Sequence, residues 1–129
     1  MAEGLESSLQ IFPSSKIEET ARFYESIGFR AVSYLEAQQP HVCLYRGGVE
    51  IILTRSQKEQ IVPNRVTHGY GYDAYFISAE QKKLQEEFRQ KGARIVKELS
   101  LTDYDNQEFI FEDNEGRWVA VGRKEGQPA

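Results

Sequence analysis

The residues best suited to metal or acid–base chemistry are few and scattered along this chain. Both histidines, His41 and His68, fall at a strand start or in a linker, and no His-x-His or His-x3-His pair is present. Such a pair is a usual basis for a metal site, so we expect both histidines at the surface or at loop edges. Glu50, in the apolar run VEIIL, is the acidic candidate for a metal ligand, and we expect it to line a cavity or its rim.

Other catalytic motifs are missing. Cys43 lies in the apolar run HVCLY without a paired histidine, which predicts a buried structural thiol. The chain has no G-x-S-x-G elbow, and Gly69-Tyr70-Gly71 lacks the strand and helix that flank phosphate loops. One acidic set could be a cation site, but we expect a solvated loop and strand face: Asp103, Asp105, Glu108, Glu112, Asp113 and Glu115.

Composition and charge narrow the class of protein. The 129 residues carry a net charge of −4, which disfavours a nucleic-acid surface and is more compatible with a cationic ligand than an anionic one. The single cysteine allows no intramolecular disulfide, and the N-terminus has no basic start followed by an apolar run. No apolar stretch is long enough to span a bilayer. We therefore expect a soluble cytoplasmic protein.

Two amphipathic helices share one plan. The first is predicted over residues 16–27 behind the capping box Ser15/Glu18, and Gly28 ends it. The second is predicted over residues 79–91 behind Ser78/Gln81, and Gly92 ends it. The predicted buried positions follow helical spacing: Ile17, Ala21, Tyr24, Ile27, Leu84 and Phe88.

Matching strands surround each helix. A β-prone run precedes each helix, another follows it, and each half closes with a hairpin whose turn contains glycine. The predicted strands are 8–12, 29–35, 41–45 and 49–54 in the first half, and 72–77, 93–99, 108–112 and 118–122 in the second.

The element order predicts an α+β fold of two tandem β-α-β-β-β modules. The first module is predicted over residues 1–55 and the second over residues 71–123. Residues 56–70 are polar, carry Pro63 and Asn64, and are predicted to be a loop linker. Residues 124–129 are predicted to be a disordered tail.

Two segments of the chain resemble a known family. PSSKIEETARFYESIGF, residues 13–29, is similar to the FYxxLGF signature of the glyoxalase/bleomycin-resistance/dioxygenase superfamily, whose fold is also called the vicinal oxygen chelate fold. FEDNEGRWVAVG, residues 111–122, resembles its closing DPDGxxxxL hairpin, with Asn114 in place of the usual proline. The resemblance covers residues 9–123 and implies an incomplete barrel around a cavity.

Within the superfamily the chain most resembles the bleomycin-resistance proteins. Pro13-Ser14 leads directly into the first helix, the hairpin YRGGVEIIL is similar to theirs, and the length is similar. Those proteins are homodimers that sequester a cationic glycopeptide antibiotic unaltered. The resemblance therefore implies a small-molecule partner and a homodimer in which the N-terminal strand is exchanged between subunits.

The resemblance also locates the metal ligands of the family's enzymes. The four positions fall on Leu9, Ile52, Tyr72 and Ala120. Leucine, isoleucine and alanine offer no donor atom, and tyrosine is an uncommon ligand. We therefore predict no metal, no cofactor and no catalytic residue. A register shift of two residues would instead bring Glu50 to the acidic ligand position.

Strand alternation extends these four positions to a predicted ligand-binding surface. Residues two apart on a strand share a face, and neighbouring strands add aromatic side chains that can stack on a ligand. The predicted set is Leu9, Ile11, Tyr34, Tyr45, Glu50, Ile52, Tyr72, Ala74, Phe109, Trp118 and Ala120.

Three functions remain open on the sequence. The first is non-catalytic sequestration of a small aromatic or cationic compound. The second is a metal-dependent lyase, isomerase or dioxygenase of the same superfamily that uses Glu50 with His41 or His68. The third is a regulatory or partner-binding module whose pocket is filled by Tyr72, Trp118 and Phe109.

Overall fold

The chain divides into two compact units. A computed structural model describes residues 3–124. The units are Met1–Glu59 and Gln60–Ala129, and each carries one four-stranded sheet.

The first unit follows the predicted β-α-β-β-β order. Its elements are β1 (Gln10–Ser14), α1 (Ile17–Ser26), β2 (Arg30–Tyr34), β3 (His41–Arg46) and β4 (Val49–Arg55). The sheet order is β1-β4-β3-β2. β1 runs parallel to β4, and the other neighbours are antiparallel.

Tyr24 centres the core of the first unit. It is fully buried, and its ring meets Phe29 edge-on at 5.5 Å and Phe12 of β1 at 6.3 Å. The other predicted core positions of α1, Ile17, Ala21 and Ile27, are also buried. The helical spacing of these side chains therefore determines which side of α1 packs on the sheet.

The second unit repeats the order after a short extra helix. Its elements are α2 (Asn64–His68), β5 (Ala74–Ile77), α3 (Gln81–Gln90), β6 (Arg94–Leu101), β7 (Asn106–Glu112) and β8 (Trp118–Lys124). The sheet order is β5-β8-β7-β6, with β5 parallel to β8. The two sheets confirm the predicted α+β fold of tandem β-α-β-β-β modules.

Phe88 of α3 fills the core of the second unit. Its ring lies edge-on to Phe109 at 6.0 Å and to Phe111 at 5.2 Å. Gln85, on the same side of α3, is buried, and its Oε1 accepts the Leu99 N–H at 2.6 Å. That bond satisfies a β6 amide where the β6–β7 ladder shifts register.

Several local predictions were wrong. The linker contains α2, whose first amide, the Asn64 N–H, donates to Asp73 Oδ1 at 3.2 Å. The helix α1 starts one residue later than predicted, with Lys16 as N-cap and no side-chain cap bond. The helix α3 starts two residues later than predicted, with Glu80 as N-cap. Lys124 ends β8, and the rest of the predicted tail, 125–129, lies outside the described residues.

The helices of residues 3–124 are all short. None of them is long and apolar enough to cross a membrane.

Candidate functional site

Strand pairing divides the first sheet into two faces. Phe12 pairs with Leu53, and its ring contact with Tyr24 places this row against α1. Ile11 pairs with Ile52, which in turn pairs with Cys43, so this row lies on the face opposite α1. That opposite face is where the first unit can offer side chains to a ligand.

A groove opens beside Ile52 on this face. It has a volume of about 520 Å³ and is lined by Gln38, Gln39, Pro40, His41, Ile52, Thr54 and Arg55. The His41 ring stacks on Tyr34, with centroids 5.0 Å apart and planes 20° apart. Its Nδ1 lies 2.8 Å from the Gln39 carbonyl oxygen, so a proton on Nδ1 leaves Nε2 as an acceptor.

The next row toward the hairpin turn carries charge. Tyr45 pairs with Glu50 on one side and with Arg30 on the other, and the Arg30 guanidinium lies 4.9 Å from the Tyr45 ring centroid. A hydrogen bond with Cys43, followed by loss of solvent, raises the pKa of the Tyr45 phenol. The phenol therefore keeps its proton at neutral pH.

Glu50 and His41 do not form a pair. His41 is opposite Thr54 in the β3–β4 ladder, whereas Glu50 is opposite Tyr45. Four residues of strand separate the two positions, which corresponds to about 13 Å. A metal ion could not bridge these two side chains at their present positions.

The second sheet carries a buried carboxylate on the face opposite α3. Glu108 is 0% exposed, and its Oε1 accepts a 2.8 Å hydrogen bond from the Tyr75 hydroxyl. Its Oε2 accepts hydrogen bonds from Tyr72 at 2.9 Å and from Tyr104 at 2.8 Å. Asn106 Nδ2 donates to the Tyr75 hydroxyl at 2.8 Å. We call these five residues the Glu108 cluster.

The phenols of the Glu108 cluster keep their protons and act as hydrogen-bond donors. Loss of solvent is the largest cause that raises the pKa of Tyr72, Tyr75 and Tyr104, and the hydrogen bond to Glu108 raises each pKa further. The Asn106 bond partly opposes the rise at Tyr75. Because the phenols remain protonated, three O–H donors are directed at the two oxygens of one carboxyl group.

Gly122 makes room for this arrangement. It faces Glu108 in the β7–β8 ladder. A Cβ at this position would lie 2.5 Å from Glu108 Cβ, 2.6 Å from the Gln107 carbonyl oxygen and 2.7 Å from the Tyr75 hydroxyl. Only glycine therefore lets the carboxylate and the Tyr75 hydroxyl occupy this space together.

Trp118, four residues before Gly122 on the same face of β8, is partly covered by a residue of α2. The Arg65 guanidinium lies 4.2 Å from the Trp118 ring centroid, and Arg65 Nη1 donates to the Gly116 carbonyl oxygen. The Trp118 Nε1–H donates to Glu112 Oε1 at 3.0 Å. One indole face thus already holds a cation from the chain itself.

The family is identified from the chain's sequence. The model of the Glyoxalase/Bleomycin resistance protein/Dioxygenase superfamily matches residues 11–121. The chain belongs to this superfamily.

Solved structures of low identity share the superfamily fold. A bleomycin-binding protein complexed with bleomycin has a TM-score of 0.74 at 16% identity, with 94% of this chain and 100% of that one covered. TioX from Micromonospora sp. ML1 has a TM-score of 0.69 at 16% identity, covering 92% and 98%. A superfamily member from Sphaerobacter thermophilus DSM 20745 also has 0.69, at 14% identity, covering 92% and 96%. No curated relative matches the chain.

The residues at the four positions that the resemblance assigns to metal ligands do not fit a metal. Leu9 precedes β1, and Ile52 and Ala120 lie on the faces opposite the helices, where none of the three offers a donor atom. The Tyr72 hydroxyl already donates to Glu108. Within residues 3–124, no group of three or more His, Cys, Asp and Glu side chains could hold a metal ion.

The predicted ligand-binding residues separate into three groups. Those on the faces opposite the helices are Ile11, Tyr34, Tyr45, Glu50, Ile52, Trp118 and Ala120. Leu9 and Tyr72 lie just outside β1 and β5. Ala74 and Phe109 were expected to face the cavity but lie on the helix side: Phe109 packs on Phe88, and Ala74 pairs with Val119 beside Phe111.

Most of the Glu108 cluster was not predicted from the sequence. Glu108 was assigned to a solvated acidic face, whereas it is fully buried, and Asp113 is buried as well, in an ion pair with Arg117 at 2.9 Å. Tyr75, Tyr104 and Asn106 were not singled out. The position of Glu108 could have been predicted from the hairpin, because pairing Glu112 with Trp118 across the turn places Glu108 opposite Gly122.

We predict that Gly122→Ala lowers the free energy of unfolding by about 1–3 kcal/mol, because the added methyl group overlaps Glu108 and the Gln107 carbonyl group. Urea denaturation followed by the fluorescence of Trp118, the only tryptophan, measures it. Gly48→Ala is the control, since its Cβ would meet nothing within 4 Å, and its effect should stay within about 0.5 kcal/mol. Equal effects of the two variants would contradict the packing described for Gly122.

Proposed function

We propose that this protein binds a small aromatic or cationic compound and releases it unaltered. The observation that carries the proposal is the groove beside Ile52, a residue that the resemblance places at a metal-ligand position. No group of His, Cys, Asp and Glu side chains among the described residues could hold a metal ion there. A concave site with an apolar floor and a few polar groups is the usual form of a small-molecule site.

The chemistry of the groove favours the flat, uncharged part of such a ligand. Ile52 supplies apolar surface, and the stacked His41 and Tyr34 rings present a planar edge beside it. The amides of Gln38 and Gln39 can exchange hydrogen bonds with ring substituents. Arg55 at the rim makes this groove unfavourable for a cationic group.

The bleomycin-binding relative supports a small-molecule ligand. Its structure holds bleomycin, and its fold matches that of this chain over nearly the full length of both. At 16% identity the likeness extends to the fold, so bleomycin serves as a first probe for this chain and the natural ligand is left to experiment.

We also propose that the protein is a homodimer, with a second copy covering the β1 edge of the first sheet. β1 is an edge strand, and Ile11 on its face opposite α1 is 61% exposed. Leu9, just before the strand, is 37% exposed. Exposed apolar residues on an edge strand are typical of a surface that another chain covers. Exchange of the N-terminal strand would use the same edge.

We predict that bleomycin, or a planar aromatic compound that fits the groove, raises the melting temperature, whereas Zn²⁺, Mn²⁺ or Ni²⁺ alone leaves it unchanged. At a hundredfold excess over Kd the gain is about 2.7 kcal/mol, which corresponds to a shift on the order of 5–10 °C. Ile52→Trp should abolish the shift because the larger side chain fills the groove. Differential scanning fluorimetry measures both effects.

Glu50→Gln is the matched control for that experiment, since Glu50 lies on the same face of β4 but outside the groove. The ligand-induced shift should survive this change. A stoichiometric metal in the purified protein that Glu50→Gln removes would overturn the proposal in favour of a metal-dependent enzyme.

We predict a dimer by analytical ultracentrifugation at micromolar concentration, and a shift toward monomer in Ile11→Glu, because a carboxylate would be buried at the interface. Val66→Glu, at a side chain that is 64% exposed on α2, should leave the dimer intact. A monomeric wild-type protein, or an Ile11→Glu variant as dimeric as Val66→Glu, would rule out this interface.

A further inference from the structure

We propose that the Glu108 cluster binds the ammonium group of an organic cation. The proposal rests on the proposed function and deepens it, because it names the chemical group that the second unit recognises. The ligand class is a protonated amine carried on an apolar or aromatic body.

Glu108 is a buried carboxylate that makes no ion pair with another described residue. Its partners in residues 3–124 are the hydroxyls of Tyr72, Tyr75 and Tyr104. Burying a charge is costly unless hydrogen bonds and an opposite charge offset it, and here only the hydrogen bonds are supplied. A cation that arrives next to the cluster would supply the missing opposite charge.

Glu112, on the same strand, is a carboxylate whose charge is compensated by two arginine side chains. It lies on the same face of β7, four residues from Glu108. Its Oε1 is 3.4 Å from Arg94 Nη1 and 3.7 Å from Arg65 Nη2. The two carboxylates therefore differ in charge compensation while sharing a strand and a face.

The rest of the cluster suits an ammonium group. Oε1 of Glu108 accepts one recorded hydrogen bond and Oε2 accepts two, so Oε1 has capacity for a further N–H donor. The rings of Tyr72 and Tyr104, whose hydroxyls lie 3.3 Å apart, can attract a cation at their faces. The cluster therefore combines the Glu108 carboxylate with the aromatic rings of Tyr72 and Tyr104.

A divalent metal ion fits this cluster poorly. Such ions take several anionic or strongly donating ligands, whereas the cluster offers one carboxylate. Its three phenols hold their protons and direct them at Glu108, as described above. An organic cation needs neither deprotonated phenols nor further carboxylates.

Tyr104 provides the approach from solvent. It is 46% exposed and lies in the turn between β6 and β7, while its hydroxyl reaches Glu108. Asp103 and Asp105 flank it and are exposed, so the surroundings of the approach are acidic. Negative charges around an entrance raise the local concentration of a cation.

The test compares benzylamine, which is protonated at neutral pH, with benzyl alcohol, a neutral compound of nearly the same shape. Both are titrated into wild-type protein carrying labelled tyrosine, and the ring resonances of Tyr72, Tyr75 and Tyr104 are followed by NMR. We expect benzylamine to bind at least about tenfold more tightly and to shift these resonances. Glu108→Gln should bring the two affinities together, whereas Glu112→Gln should preserve the difference.

Tyr104→Ala gives a second variant at an exposed position, in case Glu108→Gln fails to fold. It should weaken benzylamine binding severalfold and leave the affinity for benzyl alcohol nearly unchanged. Equal affinities in wild type, a preference that survives in folded Glu108→Gln, or no shift of the cluster's resonances would each overturn the ammonium site. Bleomycin stabilisation that depends on Ile52 would stand through any of these results, so the two proposals can fail separately.

Discussion

The buried carboxylate of Glu108 is the constraint on which the site in the second unit depends. Three hydrogen bonds from phenols, each worth about 1.5–3 kcal/mol when the acceptor is charged, offset much of the cost of burying it. The same bonds orient Tyr72, Tyr75 and Tyr104, and they require glycine at position 122 across the ladder. A cluster this specific, with its charge uncompensated, is more typical of a binding site than of a stabilising core.

The helices leave one face of each sheet for such sites. In both units the aromatic core lies between helix and sheet, around Tyr24 in the first and Phe88 in the second. The helix-packed core and the proposed ligand-binding surfaces therefore lie on opposite faces of the same strands. Ile52 and Ala120, which the resemblance assigns to metal-ligand positions, lie on the face away from the helix, so substitutions there need not alter the packing around Tyr24 or Phe88.

Much of the fold could be predicted from the sequence, but less of the site. Helical spacing identified the buried side of α1, and glycine-containing turns identified both hairpins, because these signals are local. The sheet face predicted for Phe109 was wrong, because the face of each β7 residue depends on which residues of β7 and β8 pair across the turn. Ala74 was wrong because alternation was counted from Tyr72, which precedes β5. Glu108 looked solvated because its phenol partners come from other segments of the chain.

The most direct test of this account is the charge of Glu108 itself. The ¹³C resonance of its side-chain carboxyl group, assigned by comparison with Glu108→Gln, reports at neutral pH whether the group is a carboxylate or a carboxylic acid. We predict the chemical shift of a carboxylate, because its two oxygens accept three phenol hydrogen bonds and donate none to another described residue. The chemical shift of a neutral acid would contradict the account, since the cluster would then hold no charge to attract a cation.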